Sequence, residues 1–173
     1  MLLDKREHLR RIAFDSAFLG LALILSYLEV LFPFSLFIPL PGFKLGLANV
    51  VVLWLAVNRR ISDATIVSFS RVTIVSMLFG TPVSFWFSFV GAVFSLVVVI
   101  FLRKDSRLSY VGVSVLSASA HNFGQLVAAS VLFGLQTMLA YLPIMLLAAV
   151  IFGALCGFIL NLIAPRIRRG GKL

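Results

Sequence analysis

The chain is poor in almost everything a soluble catalyst needs. Of its 173 residues, six are acidic, two are histidine and one is cysteine. The lone thiol, Cys156, lies in an apolar stretch, which excludes an intramolecular disulfide framework and a cysteine-based metal site. The acids Asp4, Glu7, Asp15, Glu29, Asp63 and Asp105 are scattered. Chemistry that condenses or cleaves diphosphates with magnesium needs carboxylates clustered around the metal. The sequence has no Gly-x-x-x-x-Gly-Lys-Ser/Thr loop, hence no nucleotide site of that type to energise transport. No paired general acid and base is visible, and His121 has no serine or cysteine at a recognisable catalytic spacing. These absences point away from a soluble enzyme, and no cofactor or metal is expected.

What the chain does have is apolar surface. It is 61% hydrophobic, with a mean hydropathy of +1.12, against about 45–50% apolar for a typical soluble domain. That surplus needs lipid as its solvent. A helix needs roughly 20 mostly apolar residues to cross the hydrocarbon, so nearly the whole chain is taken up by spans. A single integral membrane domain over residues 1–173 is the expectation. Apolar runs set against breakers predict an all-α bundle of six transmembrane helices, near 12–32, 45–57, 61–79, 83–102, 111–134 and 137–163. The second span is short and the last is long. Pro33, Pro39, Pro41 and Gly42 predict a structured or re-entrant first connection. Gly80, Thr81 and Pro82 turn the chain after span three, as Asn58, Arg59 and Arg60 do after span two. Residues 1–11 are basic and lead into an apolar run without a small-residue cleavage signal, which predicts a retained first span.

The charges test the count of six. The net charge is +9, but Lys and Arg fall in short segments between apolar runs, which argues against a nucleic-acid partner. Lys5, Arg6, Arg10 and Arg11 precede span one, and Arg59 and Arg60 follow span two. Arg103, Lys104 and Arg107 follow span four, and Arg166, Arg168, Arg169 and Lys172 follow span six. With six crossings all of these share one side, which the positive-inside rule makes cytoplasmic. The expected protein is therefore multi-pass in the cell membrane, with membrane lipid around it and both termini inside.

Two cations remain, Lys44 and Arg71. Ionisable groups inside a membrane are costly and usually face protein or a water-filled cavity. Arg71 interrupts span three, Lys44 opens span two with Asn49 slightly deeper, and Glu29 closes span one. His121, Asn122 and Gln125 share span five, with His121 and Gln125 one turn apart on one face. All lie between the midplane and the outer surface in the expected topology, which predicts an outward-opening polar pocket for a small anionic molecule. Each residue also has a structural reading. Arg71 would pair with Glu29 or cap broken-helix carbonyls, Lys44 would snorkel, Asn49 and Asn122 would join helices, and His121 would be a satisfied core residue. Asp15 and Asp63 fit helix N-termini. Ala13, Ala17 and Gly20 form a small-residue stripe on span one that either docks a partner helix or packs internally. Gly42 with Gly46, and Gly153 with Gly157, repeat the spacing of four.

Several segments carry a resemblance. The run Ile38-Pro39-Leu40-Pro41-Gly42-Phe43-Lys44-Leu45-Gly46-Leu47-Ala48-Asn49 is followed by Arg71, then Ser119-Ala120-His121-Asn122-Phe123-Gly124-Gln125, then Tyr141-Leu142-Pro143. Together they resemble the Gx transporter family, also labelled heptaprenyl diphosphate synthase component I, over nearly the whole chain. That family is similar to the substrate-binding components of energy-coupling-factor transporters. The resemblance implies a six-helix protein that takes a ligand from the outer side and docks on a transmembrane coupling subunit with two ATPases. It implies docking through an Ala-x-x-x-Ala pattern on the first helix, which Ala13 and Ala17 match. Lys44 and Arg71 would attract the anionic group of the ligand, with Glu29, Asn49, His121, Asn122 and Gln125 around it. The second label implies an isoprenoid precursor as ligand, or a non-catalytic accessory role in polyprenyl diphosphate synthesis.

Overall fold

The protein is described by a computed structural model over residues 2–31, 46–58, 60–103 and 107–170, with side chains described from residue 5 to residue 164 of these. Six α-helices account for nearly all of the described residues. They are α1 (Leu2–Leu31), α2 (Asn49–Asn58), α3 (Ile61–Phe79), α4 (Pro82–Leu102), α5 (Tyr110–Phe133) and α6 (Leu135–Gly170). Lys44, the expected loop with Pro33, Pro39, Pro41 and Gly42, and the basic residues Arg59, Lys104 and Lys172 lie outside the described residues.

The turns follow the local chemistry read from the sequence. α3 stops at Gly80, whose N–H donates to the Ser76 carbonyl at 3.1 Å. Thr81 and Ser84 then close a reciprocal capping box with Pro82 in the first turn of α4. Ser109 caps α5 by accepting from the Gly112 N–H at 3.2 Å. α5 and α6 are joined by the single residue Gly134, at φ +85°, a conformation open to glycine at no steric cost.

α1, α3, α4 and α6 are each long and apolar enough to cross a membrane. α5 is long enough, at 24 residues, but Ser114, Ser117, His121, Asn122 and Gln125 dilute its apolar character. The first helix begins at Leu2 and contains the described part of the span expected near 12–32, so the basic amino-terminal segment is helical and α1 outreaches the hydrocarbon. Its 30 residues measure about 45 Å at about 1.5 Å per residue, against a core of about 30 Å. The second element is no full span. α2 has 10 residues, about 15 Å, or half a crossing.

That half-helix sits at the centre. Val51 to Ala56 are buried all the way round, the pattern of a helix enclosed on every side, and α2 touches α1, α3, α4, α5 and α6. The aromatic face of α1 packs on it, with Phe18 stacked on Phe14 at 4.6 Å and on Trp54 at 4.8 Å between ring centroids. The remaining helices follow in sequence as neighbours, α3 on α4, α4 on α5 and α5 on α6. α4 and α5 cross where Gly91 meets Gly124, and a Cβ on Gly124 would lie 3.0 Å from the Gly91 Cα. α6 lies on α5 through Gly153, where a Cβ would come within 2.8 Å of the Val115 Cα, with Gly157 in a similar close approach to Val111. The second glycine pair is thus an internal seam.

The buried residues of α4 include Ser84, Ser88, Gly91 and Ser95 beside Phe87, Ala92, Leu96 and Val99, while Met77 (82%), Phe101 (77%) and Val131 (74%) are among the apolar side chains left exposed. Such a surface is stable only against an apolar medium.

Candidate functional site

The site forms where α2 begins. Gly46 takes φ +84°, reversing the chain into a tight turn in which the Asn49 N–H donates to the Gly46 carbonyl at 2.9 Å. The opening N–H groups of a helix carry partial positive charge and need acceptors. The N–H groups of Asn49, Val50 and Val51 donate to the carbonyls of Gly46, Leu47 and Ala48, and Glu29 Oε1 of α1 accepts from the Leu47 N–H in the turn before the helix. At the other end of α2, Arg103 Nη1 donates to the Ala56 carbonyl at 3.1 Å, and Tyr110 reaches Asn58 at 3.3 Å. An acid at its positive end and a base at its negative end bracket the half-helix.

Arg71 stands in the middle of α3, level with the start of α2 because the shorter α2 reaches back along only half of α3. It is buried (5% exposed). Its Nη1 donates to Ser26 Oγ at 3.3 Å and its Nη2 to Asn49 Oδ1 at 3.1 Å, and it interacts electrostatically with Glu29. Three elements are thus tied through one guanidinium. Arg71 Nε has no hydrogen-bond partner among the described residues, nor have Asn49 Nδ2 and Ser88 Oγ. Arg71 lines a narrow cavity of about 10 Å³ with Ser26, Gly46, Val72, Val75, Ser88 and His121, room for about one water-sized group. A second cavity of the same size adjoins the other side of the Gly46 turn, lined by Gly46, Asn49, Val50, Ser114, Ser117, Ala118, Phe152, Gly153 and Cys156.

His121 reaches the first cavity from α5, and its Nε2 lies 3.2 Å from Gln125 Nε2. The two side chains, one turn apart on α5, are within hydrogen-bond reach of each other.

The structure therefore brings Glu29, Asn49, Arg71, His121 and Gln125 together. Lys44 lies outside the described residues. Asn122 is turned away, donating from Nδ2 to the Met145 carbonyl of α6 at 2.8 Å, which is the helix-joining arrangement. Ser26 and Ser88 escaped the sequence reading. Ser26 lies one turn before Glu29, and Ser88 belongs to the Ser84-Ser88-Gly91-Ser95 stripe, so helical spacing alone was the available signal.

The stripe on α1 faces outward. Ala13 and Ala17 are exposed, and a Cβ on Gly20 would meet nothing within 4 Å, because Phe14 and Phe18 occupy the inward side. Beside them a wider groove of about 360 Å³ runs between α1 and α3, lined in part by His8, Arg11, Asp15 and Ser16. Arg11 bridges the two helices, donating to Asp63 and, at 3.1 Å, to Ser62, and it lies 3.8 Å from Asp15. Asp63 does occupy the first turn of α3. Asp15 does not sit at a helix start, since α1 begins thirteen residues earlier, and Arg11 is what engages it.

These features define a helical membrane protein with a charged, hydroxyl-lined centre. The chain belongs to the heptaprenyl diphosphate synthase component I family, whose model matches residues 18–163, and the family resemblance read from the motifs holds. Searches of the curated proteins and of the solved structures find no match.

Proposed function

We propose that this protein is the ligand-capturing membrane subunit of an energy-coupled importer. It takes a small anionic or amphipathic molecule from the outer side and docks through α1 on a transmembrane coupling subunit with ATPases. The observation that carries this reading is the convergence of Ser26, Glu29, Asn49, Arg71, Ser88 and His121 on one buried centre. They come from five helices. Arg71 Nε and Ser88 Oγ, both buried there, retain unused donor capacity among the described residues. The outward Ala13-Ala17-Gly20 stripe and the adjoining groove supply a surface for close helix approach. In this reading both termini are cytoplasmic, and the isoprenoid precursors suggested by the family's description are among the candidate ligands.

That description also favours a second reading, a non-catalytic accessory subunit of prenyl diphosphate synthesis. Affinity purification from native membranes in mild detergent separates the two. The capture reading expects a transmembrane coupling subunit with ATPases to copurify and to be lost from Ala13→Leu/Ala17→Leu. Recovery of a soluble prenyl synthase in their place overturns it.

A further inference from the structure

The geometry points to a ligand chamber in two halves. The space at Arg71 and the space across the Gly46 turn, where Ser114, Ser117 and Cys156 stand, form one site that the turn partitions. The inference rests on the capture reading and extends its site to α6.

Three observations carry it. The first is size against polarity. Each cavity measures about 10 Å³, room for about one water, so neither half alone holds an organic molecule. Both nevertheless have polar walls, with Arg71 and Ser88 on one side and Asn49, Ser114 and Ser117 on the other. Arg71 Nε and Ser88 Oγ on the first side, and Asn49 Nδ2 on the second, have no hydrogen-bond partner among the described residues.

The second is what separates the halves. Gly46 is the one residue that lines both. The rest of the Arg71 side comes from α1, α3, α4 and α5, and the rest of the Cys156 side from α2, α5 and α6. The partition is therefore a backbone turn with no side chain at its edge. A Cβ on Gly46 would lie 2.7 Å from Asn49 Nδ2, and its φ of +84° suits glycine alone among the common residues. Removing so thin a wall joins the two spaces.

The third is how the turn is held. Leu47 N–H donates to Glu29, and Asn49 Oδ1 accepts from Arg71. Both ties run to charged groups of the site itself. A ligand whose polar group competes for Arg71 loosens the partition as it arrives, which couples entry to opening.

The test uses the thiol the chain already carries. Cys156 is the only cysteine and is 6% exposed, so its reaction with a membrane-impermeant reagent reports a joined, water-filled chamber. The full chain in nanodiscs is treated with 2-sulfonatoethyl methanethiosulfonate, and labelling is followed by intact mass. Glu29→Gln, which weakens the hold on Leu47, is expected to label at least about tenfold faster than the parent. Adding Ser88→Leu, which fills the Arg71 half, should return the rate towards the parent's, because the reagent passes through that half. Phe87→Leu, in a core cluster that lines neither cavity, loosens packing elsewhere and should leave the rate unchanged. Three results overturn the two-half chamber: no acceleration in Glu29→Gln, equal acceleration in Phe87→Leu, or labelling that Ser88→Leu does not slow. None of them bears on the copurifying partners that decide the capture reading. A cooperative melt establishes that each variant is folded. Glu29→Asp, and Val75→Phe on the Arg71 side, replace a variant that is not.

Discussion

Glu29 does two things at once. It supplies an acceptor to the turn before α2 and a counter-charge to Arg71. Glu29→Gln keeps a carbonyl for the Leu47 N–H but removes the charge from both relationships, and hydrogen bonds to charged groups contribute about 1.5–3 kcal/mol. The expected outcome is a loss of about 1–2 kcal/mol, read as a lower melting temperature in detergent, and an unchanged melt would show that the charge is immaterial. At this scale the sequence was informative where a residue is expensive. A charged group in an apolar run must be accommodated, so Arg71 and Glu29 were legible as partners of something, and the spacing of four linked His121 to Gln125. It was uninformative where a residue is inexpensive. Serine is common in membrane helices, so Ser26 and Ser88 gave no sign of their roles, and Asn122 differs from His121 by only one step of helical rotation, enough to send it to α6.

Helix existence was legible from apolar runs and breakers, and the Thr81-Pro82 start falls where the sequence put it, whereas the α5–α6 turn is Gly134 alone and not the expected residues 135–136. Helix extent was harder to read. α1 runs back to Leu2 because its charged amino-terminal turns are good helix formers, which a lipid-based pattern undervalues. α2 shrinks to ten residues because apolarity reports burial, and protein buries it as effectively as lipid. Crossing points were not legible at all. Gly91 and Gly124 lie on different helices, and only their packing shows that a Cβ on Gly91 would come within 2.9 Å of His121 Cε1 and of the His121 carbonyl oxygen. Gly91→Val is therefore expected to destabilise the bundle by about 1–3 kcal/mol and to disturb ligand binding through His121. Gly20→Val, in open space, should leave the melt unchanged. Equal effects from the two substitutions, measured by thermal unfolding in detergent, would refute the assigned crossing.

For the molecule as a whole, the expected arrangement places the α3–α4 and α5–α6 turns outside and the α4–α5 connection inside. With Cys156, the only thiol, replaced by serine, Thr81→Cys and Leu135→Cys should react with a membrane-impermeant maleimide in intact cells. Arg107→Cys should react only after permeabilisation. Reaction of all three from the same side would break the six-crossing topology. The global pattern was the most legible level, since apolar excess and charge clustering are summed over many residues and survive local errors. The joining of α1, α2 and α3 through a single guanidinium was not, because it depends on how helices rotate against one another.

The half-length of α2 bears on how the chain enters the bilayer. A ten-residue apolar segment is too short to cross lipid on its own, and the Leu47 N–H of the turn before it needs the Glu29 carboxylate as its acceptor. It must partition together with α3 as a helical hairpin, into a neighbourhood where α1 already presents Glu29. Its far end receives Arg103 only once α4 has been made. Synthesis from the amino terminus thus delivers the two charged ends of the slot in the order in which the buried helix needs them, so that biogenesis and final structure impose the same sequence of events.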